Sequence, residues 1–192
     1  AMGIGVRVHT SDGSQPVGRG IGPALEARDL VSVLKGDKDA PQDLRERALD
    51  LAGHILEFSP DVKNGQGRKL AAELLDNGQA WSKFQAICEA QGGMRDIPRA
   101  QYTQVIEADK AGEITAIDNR RIARVAKLAG APADKVAGVD LHTPVGVKVE
   151  QGQPLFTVHA NAPGELDYAL SYLEEQSDII DIKGCLLYTS DA

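Results

Sequence analysis

Cysteine is scarce: Cys88 and Cys185 are the only two, far apart and in no C-x-x-C pattern. That excludes a disulfide framework and a cysteine zinc site, and it fits a reducing compartment. No apolar run reaches the roughly 18 residues that a bilayer span needs. The first residues also lack the charged-then-apolar pattern of a secretory signal. No membrane partner is therefore expected, and the expected compartment is the cytoplasm. A basic excess is missing too. The chain has 21 Lys and Arg against 28 Asp and Glu, a formal net charge of -7, which offers no field to attract a phosphate backbone and argues against nucleic acid as a partner. What is present is ordinary globular composition, 42% hydrophobic and 26% charged over 192 residues. This excludes disorder. At about 150 residues per domain, one large domain or two small ones are expected.

Periodicity divides the chain into a helical part and a mixed part. Ile4 to His9 alternates apolar and polar residues, the pattern of a half-buried strand. A strand so early needs neighbours, so the chain is expected to be part of a longer protein. A turn-rich loop, Thr10 to Gly22, leads to a helix opened by Pro23, with Ala27, Leu30, Val31 and Leu34 on one face and Gly36 beyond its end. A second helix from near Pro41 carries Leu44, Ala48, Leu51, Ile55 and Phe58. Two shorter helices are predicted over 68–75 and 79–91. After Pro98 the pattern predicts a strand over 102–108, a turn over 109–112 and a return strand over 113–117. A helix follows Asp118-Asn119, with Ile122, Val125, Ala126 and Ala129 on its apolar stripe. Short paired strands are predicted over 145–155, a last helix over 165–174 and a closing strand over 179–182. The expected division is 1–95, mostly helical, and 96–183, an α+β domain. Residues 184–192 continue no period and are expected to be a non-native tail.

The run Gly18-Arg19-Gly20-Ile21-Gly22 stands between the predicted strand and helix, where backbone N–H groups and a helix N-terminus can hold a phosphate. It lacks the spacing of a dinucleotide fingerprint, since Pro23 replaces the last glycine, and it has no P-loop lysine. Tight packing of the loop on the helix explains the glycines as well, and the missing spacing favours that reading. Ser14, Gln15 and Arg19 are the candidates to line a cleft at the strand end; a merely structural loop is the alternative. His9, His54, His142 and His159 have no metal-ligand spacing, so no metal site is expected. Cys88, near Trp81, Phe84 and Ile87, reads as a small hydrophobe more than a nucleophile. No serine lies in a G-x-S-x-G context. Arg120, Arg121, Arg124 and Lys127 read as a solvated helix face before an anion site. No catalytic constellation is visible, and no catalytic residue is assigned.

The segment Asp12-Gly13-Ser14-Gln15-Pro16-Val17-Gly18-Arg19-Gly20-Ile21-Gly22-Pro23-Ala24-Leu25-Glu26-Ala27 is followed in order by Ala116-Ile117-Asp118-Asn119-Arg120 and Leu128-Ala129-Gly130-Ala131-Pro132. Gly152-Gln153-Pro154-Leu155-Phe156-Thr157-Val158-His159-Ala160 comes last. Together they resemble the later part of the thymidine phosphorylase (pyrimidine nucleoside phosphorylase) family, over about Gly3 to Ile182. The first segment, with Glu89-Ala90-Gln91-Gly92-Gly93, is similar to the branch of bacterial thymidine phosphorylases and archaeal AMP phosphorylases.

The resemblance implies an α/β fold: the second half of a nucleoside phosphorylase catalytic α/β domain, then a smaller α+β, hammerhead-like C-terminal domain. It implies a homodimeric, metal-independent pentosyltransferase with no cofactor, in which phosphate is a co-substrate and attacks the anomeric carbon of a nucleoside or nucleotide. Pyrimidine nucleosides are the expected substrates, with AMP the alternative. The family's phosphate loop and base-holding residues lie upstream of this chain's first strand, so none is carried over, and the chain alone is expected to be inactive. A reading of another class comes from Gly146 to Val158, which resembles a lipoyl or biotinyl carrier. Lys148 lies inside the alternating strand, however, where no cofactor-bearing hairpin is expected. A non-catalytic scaffold domain is the third reading.

Overall fold

The structure, a computed structural model, describes residues 6–176 and 178–184. It is a mixed α/β protein with antiparallel sheets, and its residues group into two units. One holds residues 6–12 and 29–96; the other holds 13–28 and the described residues from 97 onward.

The first unit is helical. α1 (Pro23–Lys35) contributes its later turns, followed by α2 (Gln42–Leu56), α3 (Gly67–Asp76) and α4 (Gln79–Ala90). These match the predicted apolar stripes to within a residue or two at most ends. α2 and α3 pack closely because each presents a glycine at the crossing, Gly53 and Gly67. The strand expected over 4–9 does not form in its described part. Residues 6–9 are irregular, and Val6 and Val8 are 77% and 87% exposed. An isolated strand leaves its backbone N–H and C=O groups unpaired, and among its described residues this unit has no other strand to pair with.

The second unit is built on two sheets. β1 (Gly20–Ile21), β4 (Gly138–Leu141), β6 (Pro154–Ala160) and β2 (Tyr102–Glu107) form one, in the order β1-β4-β6-β2. β5 (Lys148–Val149), β3 (Gly112–Ile117) and β7 (Ile180–Lys183) form the other, in the order β5-β3-β7. α5 (Asn119–Leu128) and α6 (Pro163–Glu175) pack on the first sheet and on each other. Ile114 of β3, Ile122 and Val125 of α5, Val139 of β4 and Val158 of β6 are fully buried in one shared core. α5 starts where predicted because Asp118 caps it, accepting the Arg120 and Arg121 N–H groups at 3.0 Å each.

Two pairings differ from the sequence reading. β2 and β3 are not a hairpin: β2 pairs with β6, and β3 pairs with β5 and β7. The Ala108 N–H donates to the Gln153 carbonyl and the Gly152 N–H to the Ala108 carbonyl, so Asp109 to Ala111 pass from one sheet to the other. For the same reason the strands expected to pair over 145–155 lie in separate sheets. β4, whose four residues are too short to show a period, was not predicted. Beyond Gly184, the proposed tail lies outside the described residues.

Candidate functional site

The loop that carries the sequence candidates is tied into the second unit by backbone groups. Gly20 and Ile21 form β1 opposite Asp140 and Val139, and the Arg19 carbonyl accepts the Leu141 N–H at 2.8 Å. The Gln15 Oε1 accepts the Val145 N–H at 2.8 Å, and the Asn119 side-chain amide donates to the Gly13 carbonyl at 2.8 Å. Ser14 is exposed, while Gln15 and Arg19 are half-buried.

The glycine run serves packing. A Cβ on Gly20 would lie 2.4 Å from the Leu25 backbone, and one on Gly22, whose φ is +133°, would lie 2.3 Å from the Ala137 carbonyl oxygen. Nor are the first amides of α1 open to an anion. The Gly22 N–H donates to the Glu26 carboxylate at 3.0 Å, and the Ala24 N–H donates to the Lys135 carbonyl at 2.9 Å. A phosphate there would have to displace both partners.

The sequence reading missed a polar cluster on the neighbouring sheet face. Along β6, Phe156, Val158 and Ala160 are buried, so Thr157 and His159 project to the opposite face. Asp140 stands opposite Thr157, and Gly138 opposite His159, which brings Asp140, Thr157 and His159 to one surface. His142, just beyond β4, shares a 2.7 Å hydrogen bond between its Nε2 and the Thr157 Oγ1. Burial pushes the His159 imidazole below its ordinary pKa; the charges of Arg28 and His142 act in the same direction, and Asp140 opposes them. Burial thus favours the neutral form of the imidazole, near the Arg28 guanidinium and the Asp140 carboxylate. The Arg28 Nε and the His159 Nε2 are both enclosed and make no hydrogen bond to a described residue. This surface can recognise polar groups. The Thr157 hydroxyl and the His142 imidazole form its close hydroxyl–base contact.

The four histidines thus fall into two pairs, His142 with His159, and His9 with His54, whose rings lie 5.1 Å apart. Asp140 shares the surface of the first pair, but among the described residues no three His, Cys, Asp or Glu side chains are arranged to hold a metal. The only signal for the first pair was the spacing of Leu141-His142 and Val158-His159. It becomes meaningful only once β4 and β6 are known to be neighbours. The basic residues of α5 are partly engaged: Arg121 bonds Asp118 at 2.9 Å and also meets Asp178, and the Arg124 guanidinium lies 5.6 Å from the Tyr172 ring centre. Lys148 lies in β5 opposite Glu113, not at a hairpin tip where a carrier lysine would be displayed. Cys88 is half-buried. No described helix is long and apolar enough to cross a membrane.

Residues 113–180, from β3 to the start of β7, match the model of the pyrimidine nucleoside phosphorylase C-terminal domain. Over 179 residues, 93% of the chain, the sequence is 58% identical to a "Putative thymidine phosphorylase" of Legionella pneumophila (strain Paris). It is 58% identical over 182 residues to "Putative thymidine phosphorylase 1" of Acidovorax sp. (strain JS42), covering 95% of the chain. A Polaromonas sp. (strain JS666 / ATCC BAA-500) protein of the same name as the first is 53% identical over 181 residues, 94% of the chain. The chain spans 35%, 36% and 35% of the lengths of these three relatives.

Proposed function

Because this chain belongs to the thymidine (pyrimidine nucleoside) phosphorylase family, we propose that it serves in a pentosyltransferase that carries out phosphorolysis of a pyrimidine nucleoside, thymidine in the first instance. In that reaction a phosphate oxygen forms a bond to the anomeric carbon as the bond from that carbon to the base nitrogen breaks. The electron pair leaves with the base, which takes up a proton, and the sugar departs as its 1-phosphate. Holding two ligands in line and stabilising the charge that develops are the protein's tasks. Neither requires a metal or an organic cofactor. The observation that carries this reading is 58% identity sustained over 179 residues and across both units.

The proposed division of labour follows the chain. Residues 1–95 are part of the catalytic domain, and 96–183 form the C-terminal domain. Ser14, Gln15 and Arg19 border the substrate cleft, and the groups that bind phosphate and base are supplied by polypeptide outside these residues. The working enzyme is a cytoplasmic homodimer.

The test is an assay of base release from thymidine, uridine and AMP, with and without phosphate. These 192 residues alone should convert none of them. The same residues joined to the remainder of the Legionella relative should convert thymidine in a phosphate-dependent way. Conversion by the short chain would overturn the division of labour, and a joined, folded protein that acts on none of the three would overturn the function.

A further inference from the structure

Of the sheet edges formed by the described residues, all but one are blunted. β1 and β5 are two residues long, and β7 carries Asp181 and Lys183 within its four. Short edges and edge charges both discourage pairing with another strand. β2 is different. It is six residues long and has β6 as its one neighbour among the described residues. It contains no proline, no lysine and no charge before Glu107. The ladder shows which of its backbone groups are free. The Ala108 N–H donates to the Gln153 carbonyl, and the Ala108 carbonyl accepts the Gly152 N–H, so Ala108 turns both groups toward the β6 side. The register shift beside it skips Leu155, a residue of β6, and leaves the alternation along β2 unbroken. Backbone groups alternate in direction along an antiparallel strand. Tyr102, Gln104 and Ile106 therefore face β6, while Thr103 and Val105 present N–H and C=O outward. The Val105 carbonyl accordingly takes a side-chain partner from its own neighbour, the Gln104 Nε2 at 3.0 Å. The Thr103 and Val105 side chains, opposite His159 and Thr157, are exposed on the face away from the core.

We propose that β2 pairs antiparallel with β2 of a second copy of this chain, about a two-fold axis at Gln104. The outward groups select that register. With Gln104 opposite Gln104 of the second copy, Thr103 meets Val105 of the second copy and Val105 meets its Thr103. Each of these pairs exchanges both backbone bonds, about four in all. The same register sets Tyr102 opposite Ile106, so the cross-strand pairs are aromatic with β-branched and β-branched with β-branched, the kinds that stabilise sheets. An axis at Val105 would set Thr103 against Glu107 and Tyr102 against Ala108, and both pairs would be lost. Glu107 in the proposed register faces the neutral Gln101 and not its own copy. A strand-to-strand contact buries less than a standard interface, so the dimer is weak and forms as concentration rises. It depends on neither the reaction nor the homodimer proposed above.

Sedimentation of the chain should show its mass rising toward twice the monomer between about 1 μM and 1 mM. Thr103→Lys with Val105→Lys sets like charges opposite each other across the axis and should weaken association by about tenfold or more. Thr103→Lys with Val105→Glu sets opposite charges there and should restore association, less so at high salt. Both positions face away from the core, so the circular dichroism of each variant should match that of the unaltered chain. Cross-linking reads the register. In a chain with Cys88→Ser and Cys185→Ser, Gln104→Cys puts two thiols on a non-hydrogen-bonded pair with Cα atoms about 4.5 Å apart, a separation that a disulfide spans. It should oxidise to a covalent dimer. Thr103→Cys, which faces Val105 and not its own copy, should cross-link about tenfold more slowly or not at all. If a double variant fails to fold, the two cysteine variants decide. A chain that stays monomeric at about 1 mM, a dimer indifferent to both charge pairs, or equal cross-linking from the two cysteines would overturn the proposal.

Discussion

Gly67 and Gly53 meet across the α2–α3 crossing, where a Cβ on Gly67 would lie 2.1 Å from the Gly53 carbonyl oxygen. The reverse contact is nearly as close, with a Cβ on Gly53 falling 2.6 Å from the Arg68 amide nitrogen. Both neighbours are backbone, so neither can swing aside as a flexible side chain does. Gly67→Ala should therefore force the helices apart and destabilise the protein by about 1–3 kcal/mol, the usual cost of overpacking. Gly164→Ala in α6, where nothing lies within 4 Å of the added carbon, should change stability by less than about 0.5 kcal/mol. Urea unfolding followed by circular dichroism separates the two, and equal effects would contradict the close approach.

His159 makes stability depend on pH near neutrality. Its pKa is lowered in the folded state, chiefly by burial, so the unfolded chain binds the proton more readily. Stability is then fully present above the unfolded value of about 6.5 and falls as the pH drops through it toward the lower folded value. The melting temperature of the unaltered chain should decline between about pH 7.5 and 5.5. His159→Gln should flatten that decline. A slope that persists in the variant would place the titrating group elsewhere.

A second pH effect lies in the acid range. The N–H of Arg121, then that of Arg120, holds the Asp118 carboxyl below the usual carboxylate range, and the Arg121 side chain does the same for Asp178. Lowered carboxyl values stabilise the fold above the unfolded pKa, and that contribution is lost as the pH falls through the folded values. Asp118→Asn keeps an acceptor for the α5 cap but removes the charge. In combination with Asp178→Asn it should shrink the loss of melting temperature on acidification below about pH 4. Asp118→Ala should also lower the melting temperature at pH 7, because it removes the cap itself.

Helices were legible because their information is local. In α5 the stripe of Ile122, Val125 and Ala126 and the cap at Asp118 lie within one short segment, and the sequence reading placed the stripe and the start of the helix after Asp118-Asn119. Strand partners were not legible, since nothing near Tyr102 says that it will face Ala160. The same limit hid the polar cluster. His142 and Thr157 are fifteen positions apart and become neighbours only through the β4–β6 register. For the glycine run the sequence favours packing over a phosphate site, but it shows only the lack of side chains and not what occupies the space. The Leu25 backbone and the Ala137 carbonyl occupy it. Resemblance to a family bridged what periodicity could not, because a long ordered match carries non-local information.

Gln15 is the candidate whose structural and functional roles can be separated. Its Oε1 accepts the Val145 N–H at 2.8 Å in a part-buried position, and Val145 packs against the core of the second unit. Gln15→Ala leaves that amide without its protein acceptor, which should cost about 1 kcal/mol in the isolated chain. Gln15→Glu retains an acceptor at the same reach and should recover most of the loss at pH 7. In a longer protein that phosphorolyses thymidine as proposed, the same pair of variants asks a different question. If the loop borders the cleft, Gln15→Glu should still raise KM for the nucleoside or for phosphate while stability is restored, because it places a negative charge where an anionic substrate approaches. If the loop only packs, kcat and KM should follow stability and return to their original values with Gln15→Glu. Steady-state kinetics at varied phosphate, alongside unfolding of both variants, distinguishes these outcomes, and a fully restored KM would remove Gln15 from the cleft.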